Sequence, residues 1–161
     1  MRLSYIILLV LLVVPVQTMA GTEFVARVLT VLEGDRVAIH YQGKNEVVDL
    51  RDVDCPTLKQ PYGKQAKHAA VAYLANRDVV VRELKRSQHG RMTADILLSD
   101  GRNIAHELVK EGLAWVQPGE VHDPALKDLE ELARASRSGL WSDPDPVPPW
   151  KWKPTKPARQ N

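Results

Sequence analysis

The sequence predicts an α+β protein in which a five-stranded β-barrel packs against three helices. Five segments rich in valine and isoleucine alternate polar and apolar side chains, as half-buried strands do: 24–32, 36–41, 46–50, 78–84 and 93–98. Helical spacing of apolar residues is found instead in 62–76, in 103–111 and after Pro124. Three strands, a helix, two strands and two helices in this order predict a barrel of the OB-fold type.

The three predicted helices are marked by their apolar faces and their ends. The first has one face made of Ala66, Ala69, Ala70, Tyr73 and Leu74. The second ends at Gly112. The third has Asp123 as its N-cap and Pro124 in its first turn, with an expected apolar stripe of Leu126, Leu129, Leu132 and Ala133.

The segment 51–61 lies between the third strand and the first helix. It contains Pro56 and Pro61, which interrupt regular structure. We therefore predict an irregular loop there.

Residues 1–20 are predicted to be a secretory signal peptide. Arg2 gives a positive start, and residues 6–14 are an unbroken apolar run. Thr18 and Ala20 place small residues at the two positions that a signal peptidase reads. A membrane anchor is the alternative, but the run is shorter than the roughly 20 apolar residues that span a bilayer. We expect an exported protein, periplasmic or secreted and monomeric, with no membrane span after cleavage.

The rest of the chain is expected to hold one domain, at 21–142, followed by a tail rich in proline, tryptophan and lysine at 143–161. Cys55 is the only cysteine, so an internal disulfide is excluded. All 20 acidic side chains but only 17 of the 22 basic ones lie in 21–149, a net charge of −3. Because proteins that bind polyanions usually carry a basic face, charge alone does not favour nucleic acid.

The tail is open to two interpretations. It is either a disordered extension or a segment whose tryptophans dock on the barrel. Trp150, Lys151, Trp152 and Lys153 alternate aromatic and basic side chains, a pattern that suits stacking on bases with contacts to phosphates. These four residues are the candidate nucleic-acid-binding positions.

Several motifs share their order with one known family. They are Gly34-Asp35, Asp54 followed by Pro56, Pro61-Tyr62-Gly63, Gly90-Arg91, the run from Glu107 to Trp115, and Gly139-Leu140-Trp141. Each motif is weak alone, but together and in register they are specific. Across nearly all of 24–142 the chain resembles the staphylococcal nuclease (thermonuclease) family.

The resemblance implies an enzyme that cleaves phosphodiesters of DNA and RNA with a bound calcium ion. Calcium prefers six to eight oxygen ligands. The protein's share would come from Asp35, Asp54 and the backbone carbonyl of Cys55. The alternative is that Asp35 belongs to a Gly-Asp turn and Asp54 caps a loop.

The same resemblance reveals two substitutions at the centre. The position of the family's catalytic glutamate is Thr57, whose hydroxyl cannot accept a proton at neutral pH, and the position of one catalytic arginine is Asp49. Arg91 matches the other arginine. We hypothesise that Asp49 and Arg91 form an ion pair across the former phosphate site, which would close that site to anions.

Three compensating arrangements remain open. Arg51 could replace the lost arginine if the strand bulged locally, and His89 could act as general base. The third is a more acidic metal site in which Glu33, Asp49 and Asp52 gather with Asp35 and Asp54.

The sequence thus predicts a nuclease-family protein that cuts nucleic acid poorly and acts as a binding or interaction module. Single-stranded DNA or RNA is one expected partner, and a periplasmic protein is the alternative partner. The competing interpretation is an active calcium-dependent phosphodiesterase with a rearranged centre.

Overall fold

The computed structural model describes residues 23–154, so the predicted signal peptide and the last seven residues lie outside it. Five strands form a closed barrel in the order β1-β2-β3-β6-β5. Their bounds are β1 Glu23–Glu33, β2 Arg36–Tyr41, β3 Lys44–Leu50, β5 Asp78–Arg86 and β6 Met92–Leu97. The barrel closes through parallel pairing of β3 with β6, and its other neighbouring strands are antiparallel.

Three helices pack on this barrel: α1 Gly63–Leu74, α2 Ile104–Lys110 and α3 Ala125–Ala135. A two-stranded sheet outside the barrel pairs β4, Val53–Asp54, with β7, Trp115–Val116. The predicted α+β class and five-stranded OB-type barrel are confirmed. No helix within 23–154 is long and apolar enough to cross a membrane.

The core fills the barrel and continues beneath the helices. Inward-facing residues such as Val37, Ile39, Val48 and Ile96 are completely buried. On α1, Ala66, Ala70 and Leu74 are also completely buried, and the two small alanines let the helix axis approach the barrel closely. The predicted face of α1 therefore matches the structure.

Two predictions about the elements are wrong. The segment 51–61 is not wholly irregular, because Val53 and Asp54 pair with Val116 and Trp115. Leu132 does not belong to the apolar stripe of α3: it is 66% exposed, while Leu126 and Ala133 are buried. The pairing of β4 and the exposure of Leu132 both depend on residues distant in the sequence. Local periodicity does not reveal such partners.

The start of α3 lies one residue later than predicted, because the helix begins at Ala125 and Pro124, not Asp123, is its N-cap. Asp123 Oδ1 still accepts a hydrogen bond from the Ala125 amide at 3.0 Å. Asp123 also contacts His106 Nε2 at 2.5 Å, which ties α3 to α2.

Part of the tail, residues 143–154, packs on the domain. Gln60 Nε2 donates to the carbonyl of Val147 at 2.5 Å. Trp150 meets Trp115 edge-on, with ring centroids 6.0 Å apart. Of the two interpretations, the docked tail is the one the structure supports for these residues.

Candidate active site

Asp35 and Asp54 lie together at one end of the barrel. Asp35 follows β1 and accepts a hydrogen bond from the Cys55 amide on its Oδ2 at 2.9 Å. Its own carbonyl accepts from the Leu50 amide at 2.7 Å. Gly34 makes this approach possible, because a Cβ there would lie 2.7 Å from Cys55 Sγ.

The electrostatics of this pair favour a cation. Burial raises the pKa of Asp35 above its ordinary value, against hydrogen bonds from the Cys55 amide that lower it. Burial and the neighbouring Asp35 raise the pKa of Asp54 to about 7, although Arg91 partly opposes this. Two desolvated carboxylates side by side repel each other unless a proton or a cation lies between them.

The donor set suits calcium, which binds hard carboxylate and carbonyl oxygens. Within 23–154 no group of three or more histidine, cysteine or acidic side chains is arranged to hold a metal. The protein would therefore supply Asp35, Asp54 and a backbone carbonyl such as that of Cys55, and water or substrate would complete the shell. The Cys55 thiol is not a candidate ligand, since it is buried and calcium binds oxygen ligands.

Asp49 lies beside this pair on the outer face of β3 and binds two arginines. Arg91 Nε is 3.1 Å from Asp49 Oδ2, so the hypothesised ion pair is present. Arg36 Nε is 2.6 Å from Asp49 Oδ1 and Arg36 Nη2 is 3.3 Å from Oδ2, a two-pronged contact. The three residues, with Val47, His89 and Gly90, line a cavity of about 320 Å³ that we call the arginine pocket.

Arg36 is the functional candidate that the sequence analysis missed. It stands directly opposite Asp49 in the antiparallel pairing of β2 with β3. The turn at Gln42-Gly43 fixes this register, so counting outward from that turn would have revealed the pair. The pairing of β2 with β3 thus places a second guanidinium beside Asp49.

The other compensating arrangements fare differently. Arg51 is tied to Asp95 by a salt bridge and is not in the arginine pocket. The predicted acidic cluster does not form: Glu33 contacts Arg36 at 3.5 Å, and Asp52 binds the segment 122–123 instead. His89 does line the arginine pocket beside Arg91.

Thr57 lies two residues after Cys55, at the position where the resemblance implies a catalytic glutamate. Its Oγ1 is buried and has no hydrogen-bond partner within the described residues. No carboxylate therefore occupies this position, and the buried hydroxyl cannot replace one as a base.

Docking of the tail affects its four candidate nucleic-acid-binding residues differently. Trp150 is 43% exposed but turns one edge to Trp115. Trp152 lines a small cavity beneath the tail, while Lys151 and Lys153 are exposed. The lysines remain available to a ligand, and part of the aromatic surface is used in packing.

Comparison with known proteins agrees with this architecture. A family model described as a staphylococcal nuclease homologue matches residues 47–143, more than half of the chain. The chain belongs to the staphylococcal nuclease family.

Named relatives of this nuclease-family chain extend over most of its length. An "Uncharacterized endonuclease" of Escherichia coli O157:H7 is 37% identical over 130 residues, covering 81% of this chain and 85% of the relative. A "Micrococcal nuclease" of Shigella flexneri is 31% identical over 144 residues, covering 83% of each. "Protein ParB" of Escherichia coli is 32% identical over 153 residues, covering 89% of this chain and 86% of the relative.

Proposed function

We propose that this protein is an exported, calcium-binding member of the nuclease family that binds single-stranded nucleic acid and hydrolyses it slowly. The observation that carries the proposal is the capture of two arginines by the single carboxylate of Asp49. Export is proposed from the leader sequence alone.

Arg36 is the more strongly held of the two arginines. Its guanidinium contacts Asp49 through two nitrogens and Glu33 through the third, at 3.5 Å. Two-pronged pairs between arginine and carboxylate are among the stronger hydrogen-bonded contacts. A phosphate would have to displace carboxylates to use this guanidinium.

Arg91 is held less tightly. Its side chain is 65% exposed and makes a single contact with Asp49. Exposed pairs of this kind contribute about 0–1 kcal/mol, so a phosphate can compete for Arg91. The pocket therefore retains one guanidinium for binding, with a repulsive carboxylate beside it.

Binding and catalysis are affected unequally by this arrangement. A calcium ion bound by Asp35 and Asp54 would supply positive charge to polarise a phosphate oxygen. Arg91 would bind and orient the phosphate group. Thr57 offers no carboxylate to activate the attacking water. Because a positioned general base contributes about 10²–10⁴-fold in rate, slow hydrolysis is expected.

A rearranged but active centre is the second candidate. The charged residues around the arginine pocket support it. Two arginines, Arg36 and Arg91, line the pocket together with a third carboxylate, Asp49, beside the pair of aspartates. In this alternative Arg36 replaces the lost arginine and Asp49 replaces the lost glutamate.

Two substitutions distinguish these functions because they act in opposite directions. In the first proposal Asp49→Asn releases both arginines and removes a repulsive charge, so calcium-dependent cleavage of single-stranded DNA should rise about ten-fold, or ~1.4 kcal/mol. Arg36→Ala should leave that cleavage nearly unchanged. In the rearranged centre both substitutions should abolish cleavage.

The assay compares initial rates on a labelled single-stranded oligonucleotide, with calcium and with chelator. Arg82→Ala is the matched control, since Arg82 also pairs with a carboxylate, Glu23, but on an exposed part of the barrel away from the pocket. Vigorous wild-type cleavage that is lost in both Asp49→Asn and Arg36→Ala would overturn the first proposal.

A further inference from the structure

The docked tail contacts two residues that lie beside the segment carrying Asp54, the proposed metal ligand. On one side it reaches Gln60, in the turn that follows Thr57. On the other side it covers Trp115 in β7.

Gln60 connects the tail to the metal-ligand segment. Its side chain is buried, with Nε2 donating to the Val147 carbonyl and Oε1 accepting from the Thr57 amide at 3.4 Å. Its backbone amide also donates to the Thr57 carbonyl at 2.8 Å. Both polar atoms of the Gln60 side-chain amide are thus bonded, one to the tail and one to Thr57, so Gln60 links Val147 to the turn after Asp54, Cys55 and Pro56.

Trp115 forms the second connection. It pairs directly with Asp54 in the two-stranded sheet of β4 and β7. Trp150 packs edge-on against its ring, and Trp141 does so from another side with centroids 4.3 Å apart. Tyr62, at the start of α1, completes the contact through a 2.7 Å hydrogen bond with Ser142.

We propose that residues 143–150 act as a latch that positions the metal-ligand segment 54–57, with Gln60 and Trp115 as the positioning residues. The inference rests on the calcium site of the proposed function. β4 has only two residues and its sheet partner is β7, so the contacts of Trp115 and Gln60 add to the hydrogen bond of the Cys55 amide with Asp35 in holding this segment. Releasing the tail should loosen this segment while the barrel stays folded.

Two substitutions in the otherwise intact mature chain test the latch. Gln60→Met keeps the length and shape of the side chain but removes both hydrogen bonds, and Trp150→Ala removes the ring that packs on Trp115. Val147→Ala is the matched control, because it keeps the backbone carbonyl that Gln60 binds. Circular dichroism and urea unfolding establish that each variant is folded.

Calcium affinity is the first measurement, made by isothermal titration. Gln60→Met and Trp150→Ala should each weaken calcium binding about ten-fold, the lower end of what loss of a residue supporting a metal ligand costs. Val147→Ala should bind calcium as the wild type does. Equal affinities in all four proteins would overturn the latch and leave the proposed function intact.

Hydrogen exchange without metal is the second measurement. Amides of residues 55–62 should exchange faster in Gln60→Met and Trp150→Ala, while amides of β1, β2 and β5 stay protected. Unchanged exchange in 55–62 would overturn the latch whatever calcium does. Absence of calcium binding in the wild type would overturn the proposed metal site, and the exchange data would then decide the latch separately.

Discussion

Asp52 combines an unfavourable backbone conformation with a buried charge. Its φ is 64°, in the left-handed region that glycine adopts with least strain. Its Oδ2 accepts hydrogen bonds from the amides of His122 at 2.8 Å and Asp123 at 3.2 Å, and Oδ1 lies 3.0 Å from His122 Nδ1. Burial raises the pKa of Asp52, but these hydrogen bonds outweigh it and hold the pKa below its usual range. The carboxylate thus joins β4 to the segment that enters α3.

Removing this carboxylate should destabilise the fold. We expect Asp52→Ala to lower the free energy of unfolding by about 2–3 kcal/mol, because two amides lose their buried acceptor. Asp52→Asn should cost about 1 kcal/mol, since its amide oxygen still accepts and asparagine tolerates this conformation.

Urea denaturation measures both effects, with Gln42→Ala as control. Gln42 has a similar φ, 48°, but is exposed, so its loss should change stability by no more than about 0.5 kcal/mol. If Asp52→Ala were as harmless as Gln42→Ala, the hydrogen bonds of Asp52 would contribute nothing net.

The elements differ in how well the sequence predicts them. Alternating polar and apolar residues predict long strands such as β1 and β2. The helical spacing of alanines that the structure buries predicts α1. The sheet of β4 and β7 is not predicted in this way, because two residues are too few to show a period and their partners lie about 60 positions apart.

The residues of the candidate site also differ in how well the sequence predicts them. Asp35, Asp54 and the pair of Asp49 with Arg91 could be predicted from motif positions in the chain. Arg36 could not be found in that way, since no motif marks it and its proximity to Asp49 comes from strand register. Contacts across strands are therefore the part of a site that a linear motif leaves out.

The start of α1 depends on one glycine. A Cβ on Gly63 would lie 1.8 Å from the Thr57 carbonyl oxygen, a backbone atom that no rotamer change can move. The turn that begins at Thr57 thus packs against the first residue of the helix. This close approach ties the position of 55–61 to α1.

Gly63→Ala should therefore force the turn and the helix apart. We expect a loss of about 3 kcal/mol or more in the free energy of unfolding, at the upper end for overpacking. Gly101→Ala is the control: its φ of 86° adds strain of about 1–2 kcal/mol, but a Cβ there meets nothing within 4 Å. A Gly63→Ala protein no less stable than Gly101→Ala, by urea denaturation, would contradict this account.

Charge is distributed unevenly over the whole molecule. Residues 21–149 carry a net charge of −3, whereas the last twelve residues hold Lys151, Lys153, Lys156 and Arg159 and no acid. Lys151 and Lys153 are exposed within the docked part of the tail. A single-stranded nucleic acid attracted to this protein would meet its positive charge at the carboxyl-terminal end.

The salt dependence of binding tests this asymmetry. For single strands, the logarithm of the binding constant falls with the logarithm of salt concentration by about 0.7 per phosphate contact. Replacing the four basic residues of the tail by glutamine should flatten this slope by up to about 3, measured by fluorescence anisotropy with a labelled oligonucleotide in calcium.

The control removes the same charge from the body of the domain. Lys59, Lys64, Lys67 and Lys127 lie outside the last twelve residues, and changing these four to glutamine alters the net charge equally. Because affinity from counterion release depends on the lysines and arginines that contact phosphates, this variant should keep the wild-type slope. Equal flattening in both quadruple variants would mean that net charge governs binding and that the tail makes no phosphate contacts of its own.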